Sequence, residues 1–154
     1  MNTKIVGSII VVLLILIGAV GYVIYSNPNL INNSSSATIG SSKVSIPEGY
    51  QIQKKEENGV LFSNSKTNIG IYEVPKGGSF NKKVEELEKK YGNDSISNNT
   101  YKINDTTLKS VTVQNEKNKF KETYFEKNGV KYHIYEKGAE DKAAFNTLFN
   151  SISK

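Results

Sequence analysis

Residues 5–25 read IVGSIIVVLLILIGAVGYVIY and carry no charge. At ~1.5 Å rise per residue, a helix over this run extends roughly 30 Å, the thickness of a bilayer's hydrocarbon core. It would have no polar face to turn toward water, and helices of soluble proteins keep one. The run therefore predicts one transmembrane helix. Ile5, Val12, Leu14 and Ile17 would meet lipid tails, and Tyr22 and Tyr25 would lie at the headgroup level that amphipathic rings favour. A cleaved signal peptide is the competing reading. Ala19-Val20-Gly21 offers small residues at a suitable spacing, but the apolar run exceeds the ~7–15 residues of a signal core.

Charge sets the expected orientation. Lys4 and the amino terminus precede the run, and nothing basic follows it until Lys43. Positive flanks stay inside, so 1–4 is expected as a cytoplasmic stub, 5–25 as the anchor and the remainder outside the cell membrane. Residues 26–42 are Asn/Ser-rich and uncharged and are expected to form a flexible stalk, too thinly apolar to fold.

Residues 43–154 are long enough for a core of their own. Tyr50 and Ile52 share a parity, as do Val60 and Phe62; a three-residue loop Glu57-Asn58-Gly59, with Gly59 left-handed, would put both pairs on one face. NIGIYEV alternates again, with Ile69 and Ile71 on one side and Tyr72 and Val74 on the other. Ser79 and Gly92 are placed to cap a helix over 80–91, whose stripe is Phe80, Val84, Leu87 and Tyr91. Glu85 with Lys89 and Glu86 with Lys90 would pair on its solvent side. Strands are expected over 100–103 and 107–114, around Asn104-Asp105.

The clearest local signal is Asn128-Gly129 between 119–126 and 130–137, the preferred pair for a two-residue type I′ hairpin. That register sets Phe125 against Tyr132 and Thr123 against Ile134. On the other face it sets Tyr124 against His133 and Glu126 against Lys131. A closing helix over about 139–152 follows Gly138. The expected class is α+β, an antiparallel β-sheet with flanking helices.

The stretches VSIPEGYQI, NIGIYEV, VEELEKKYG, YFEKNGVKYHIYEKG and FNTLFNSIS, in this order over most of 44–153, resemble the PsbP-like (Mog1-like) group, particularly short membrane-anchored archaeal members. Ile46 and Tyr50 stand where that family commonly has Tyr and Trp. The resemblance implies an α/β/α sandwich acting as a binding or accessory module. No catalytic motif defines the family, so it supplies no catalytic or metal-binding residue for this chain.

Several chemistries are excluded by absent residue types. With no Cys there is no disulfide, thiol nucleophile or zinc ribbon, and one His (His133) cannot build a multi-His metal site. All basic residues are Lys, so no guanidinium fork is available for phosphate or guanine, and nucleic acid is not an expected partner. No cofactor, metal or catalytic residue is expected. The one polar cluster to weigh is Tyr124, His133, Glu122 and Glu126 on a shared sheet face. A His packed beside Tyr is the ordinary reading, and a proton-handling site the sharper one. Glu73, Glu122, Glu126 and Glu136 lie on expected strands, and an anchored or secreted hydrolase would need two of them across a cleft.

The leading expectation is an anchored extracytoplasmic binding domain that touches the lipid bilayer through its helix. Beyond the membrane it would bind a protein or an anionic envelope polymer. All 15 acids and every Lys of the 20 except Lys4 fall in the outer domain, a thin positive excess that would attract such a polymer weakly and less so in salt.

Overall fold

The computed structural model describes residues 35–153; the expected stub, anchor and the first part of the stalk lie outside them. Among the described residues, no helix is long and apolar enough to cross a membrane. The order of elements is β1 (Ser36–Ile39), β2 (Ser42–Ser45), β3 (Gln51–Glu56), β4 (Gly59–Ser63), β5 (Thr67–Glu73), α1 (Phe80–Tyr91), β6 (Ile96–Ile103), β7 (Thr106–Gln114), β8 (Lys119–Lys127), β9 (Val130–Gly138) and α2 (Lys142–Ser151). A single 3₁₀ turn, Asn93–Ser95, leads from α1 into β6. The domain is α+β. Seven antiparallel strands form one sheet in the order β3-β4-β5-β9-β8-β7-β6, beside a separate two-stranded β1-β2 ribbon.

The last hairpin has the register its turn dictates. Asn128 and Gly129 take φ of 55° and 74°, the left-handed pair that a type I′ turn requires. Thr123 opposes Ile134, Tyr124 opposes His133, Phe125 opposes Tyr132 and Glu126 opposes Lys131. Helix α1 begins at Ser79, whose side chain accepts from the Lys82 N–H, and ends at Gly92, whose N–H donates to the Glu88 carbonyl. The i,i+4 pairs expected along it do not close. The ion pair that α1 does make is Lys83 with Glu122 of β8, at 3.4 Å.

The two faces of the sheet carry separate cores. On one, Val60, Phe62, Ile69, Ile71, Phe125, Tyr132 and Ile134 pack with Phe145, Leu148 and Phe149 of α2 and with Ala37, Ile39 and Val44 of the ribbon. On the other, Val84 and Leu87 of α1 close over Val111 and Val113. Coverage is diagonal: the ribbon and α2 lie over β4 and β5, whereas α1 lies over β6 and β7 on the opposite side. The face of β6 and β7 turned away from α1 is therefore only partly roofed.

Further expectations need correction. The stalk does not run to residue 42: Ser36–Ile39 is a strand with Ala37 and Ile39 buried, and it belongs to the same compact unit as the residues from 43 on. Averaging over an Asn/Ser-rich stretch conceals the Ala37/Ile39 alternation, and the fold supplies the partners. The Ser41 N–H donates to the Glu73 carboxylate at 3.1 Å, the Gly40 N–H donates to the Glu57 carbonyl at 3.1 Å, and Lys43 exchanges both backbone hydrogen bonds with Ser153.

The first hairpin turns through Glu57 and Asn58 alone, since Glu56 pairs with Gly59, and Gly59 is not left-handed. Tyr50 and Ile52 still reach the core because a bulge between Ile52 and Lys54 restores the parity that the shorter loop loses. The closing helix starts at Lys142, with the Asp141 carboxylate accepting from the Ala144 N–H at 2.9 Å, so Gly138 ends a strand instead of opening the helix. Lys127 satisfies the far end of α2 by donating to the carbonyls of Phe149 and Asn150 at 2.7 and 3.1 Å.

Candidate functional site

Tyr72, His133 and Tyr124 stand side by side on β5, β9 and β8, on the face that also holds α1. Their rings stack in a row, with centroids 5.1 Å apart at 16° and then 5.2 Å apart at 20°. Phe80 of α1 closes the row edge-on against Tyr124 at 5.7 Å. The Tyr72 ring lies flat because Gly59 and Gly70 leave room beneath it. A Cβ at Gly59 would sit 1.9 Å from the ring, and one at Gly70 would sit 2.7 Å from it. The Tyr124 hydroxyl donates to one oxygen of Glu122 at 2.9 Å, and Lys83 contacts the other at 3.4 Å.

Three of the four residues expected to cluster are thus together: Tyr124, His133 and Glu122. Glu126 stands apart, exposed on β8 opposite Lys131. Burial, with the neighbouring Glu122 charge and hydrogen bond, pushes the Tyr124 phenol far above its ordinary value of 10.0. Burial also lowers His133 below its ordinary value of 6.5; Glu122 opposes that shift and Lys83 adds to it. A phenol that does not ionise and an imidazole held neutral between two rings make a packing element.

A pH dependence follows from this arrangement. Between the depressed pKa of folded His133 and 6.5, the unfolded chain binds more protons than the folded one. The stabilisation from neutral His133 is complete above pH 6.5 and is lost as pH falls through that window. Denaturant midpoints measured across this range should fall with acidity, and His133→Phe, which keeps a ring in the row, should flatten the dependence. An unchanged slope in the variant would place the titration elsewhere.

The four strand carboxylates do not converge. Glu122 opposes Tyr135 and shares the Tyr124 face, whereas Glu136 opposes Lys121 and points to the other side. Glu122 and Glu126 share a face but are four residues apart on one strand, about 13 Å at ~3.3 Å per residue. Glu73 opposes Tyr132, four positions from Glu136 along β9, an equal distance, and its carboxylate holds the Ser41 turn. Among the described residues no group of His, Asp or Glu side chains could hold a metal ion.

A second site is absent from the expectations above. On the face opposite the aromatic row, strands β6 to β9 and the start of α2 enclose a groove of about 540 Å³. Glu136, only 7% exposed, lies in it, and the Lys121 ammonium forms an ion pair with its Oε2 at 3.1 Å. Burial raises the Glu136 carboxyl above its ordinary value of 4.5, and Lys121 only partly offsets that. Strand β7 changes character along this face: Leu108 is a fully buried core residue, while Ser110 and Thr112, at the same parity, bring hydroxyls to the groove. Strand parity was the available signal. Lys121 and Glu136 share the parity of core residues Phe125, Tyr132 and Ile134, so they are charges pointing inward.

No protein-family model matches the chain, and no curated protein matches it.

Proposed function

We propose that the chain is a single-pass membrane protein whose outer domain is a PsbP-like binding module for the cell envelope. The uncharged run over 5–25 supports the anchor, and the positive flank at Lys4 supports an inside N-terminus. The α+β sheet with one helix on each face supports membership of the PsbP-like (Mog1-like) group. The partner is a protein or envelope polymer met outside the membrane.

One observation carries the binding reading over the hydrolase reading. Each of the four strand carboxylates is either engaged by another part of the fold or isolated from the rest, while a roomy polar groove remains open. Glycoside hydrolysis needs two carboxyl groups within roughly 5–10 Å across a substrate; the four strand carboxylates supply no such pair, and Glu140, which lines the groove with Glu136, belongs to the connection before α2 and not to a strand.

Protease treatment of intact cells expressing the chain tests the topology. The outer domain should be digested at the rate of a known external protein, leaving a short membrane-bound fragment. Protection of the domain would overturn the orientation, and recovery of the whole domain from the medium would overturn the anchor.

A further inference from the structure

From the groove on the β6–β9 face, we propose a binding site for a neutral saccharide, a short glycan segment of the envelope. The proposal rests on the outward orientation above only for its source of ligand; the groove chemistry stands by itself. The groove's size, about 540 Å³, lies within the range of roughly 300–1,000 Å³ found for small-ligand clefts.

Its lining matches a sugar group by group. Asn99, Ser110 and Thr112 present amide and hydroxyl groups that both donate and accept, as sugar hydroxyls do. Glu136 is a buried carboxylate whose Oε2 is ion-paired with Lys121 at 3.1 Å, and an ionised carboxylate keeps further lone pairs that accept from donors. A pair of adjacent sugar hydroxyls supplies such donors to one carboxylate. Tyr101 places aromatic surface at the same groove, suited to the apolar C–H face of a pyranose ring, while the Phe145 ring is faced by the Lys121 ammonium at 5.7 Å. Lys121 and Lys142 are balanced by Glu136 and Glu140, so the site has no excess charge to select a phosphate, sulfate or ammonium ligand. Hydroxyl and amide groups, a carboxylate acceptor, the Tyr101 ring and charge neutrality together favour a polyol over an ion.

The test is calorimetric titration of the full chain, held in a phosphocholine detergent so that no detergent sugar competes. The probes are neutral oligosaccharides of glucose, mannose, galactose and N-acetylglucosamine, with dextran sulfate as the anionic comparison. At least one neutral oligosaccharide should bind, with little dependence on salt. Glu136→Gln and Tyr101→Ala should each weaken that binding about tenfold or more, the cost of a charged hydrogen bond or a stacking surface. Glu122→Gln, on the opposite face, should leave it unchanged.

Tyr101 is half-buried on an edge strand, so its variant keeps the test open if Glu136→Gln disturbs folding. No binding by any neutral probe, binding indifferent to both groove variants, or salt-sensitive binding of dextran sulfate alone would overturn the proposal. Failure here with the domain exposed on cells removes only the saccharide site. Saccharide binding by a domain that proves protected on cells removes only the orientation.

Discussion

Tyr132→Ala should destabilise the domain by about 3–5 kcal/mol, the range for removing a large aromatic ring from a packed core. Tyr132 is fully buried in β9, stacks on Phe125 at 5.8 Å, and shares a hydrogen bond of 2.6 Å with the hydroxyl of Ser42 in the small ribbon. It therefore fills the main core and fastens a second layer to it. Tyr132→Phe separates the two roles. It keeps the ring but leaves the buried Ser42 hydroxyl without its partner, at a cost of about 1–3 kcal/mol. Adding Ser42→Ala should recover much of that loss, since removing both partners is far cheaper than removing one. Urea unfolding of the four proteins checks this. A Tyr132→Phe midpoint equal to wild type would mean that the hydroxyl pair does not fasten the ribbon.

Replacing Gly138 with Ala should cost about 3 kcal/mol or more, because two penalties coincide. Gly138 takes φ of 108°, a region that side chains with a Cβ rarely enter, and an added Cβ would meet the Lys66 carbonyl oxygen at 2.3 Å. Backbone atoms cannot swing aside as a flexible side chain can. The end of β9 crosses the start of β5 here, with Thr67 opposite Gly138 and the Thr67 hydroxyl donating to the Ala139 carbonyl at 2.7 Å. Gly129→Asn is the comparison. Gly129 has φ of 74° but open space around it, and Asn tolerates that conformation, so the change should cost under about 1 kcal/mol. Equal thermal shifts for Gly138→Ala and Gly129→Asn would show that the close approach to Lys66 carries no weight.

Local rules were readable wherever a residue's own chemistry forces the backbone. Asn128-Gly129 admits one tight turn, and that turn fixes a register in which both faces make sense. Ser79 and Gly92 mark the ends of α1 because one offers a side-chain acceptor and the other a φ of 83°. Reading failed where a residue serves a distant neighbour. Gly138 resembles a helix signal but exists to let β5 pass. Gly59 resembles a turn residue but makes room for the Tyr72 ring. Strand β6 starts four residues before the apolar pattern suggests. Ile96 to Asn99 gain their hydrogen bonds from β7, so pairing, not hydrophobicity, makes them a strand.

The functional residues divide the same way. Tyr124, His133 and Glu122 were legible as neighbours because one hairpin register brings them together. Tyr72, Phe80 and Lys83 arrive from other elements and complete the stack around them.

By itself the sequence determined the apolar run at the N-terminus, the α+β class of the domain, one hairpin register and one pair of helix caps, all consequences of chemistry within a few residues. The tertiary structure alone decided that the domain begins at Ser36, that the strand carboxylates point apart and that diagonal helix coverage leaves a groove around Glu136. The reason is physical. Parity says which side chains share a face of a strand, but burial depends on which element covers that face, and that is settled only when distant segments pack.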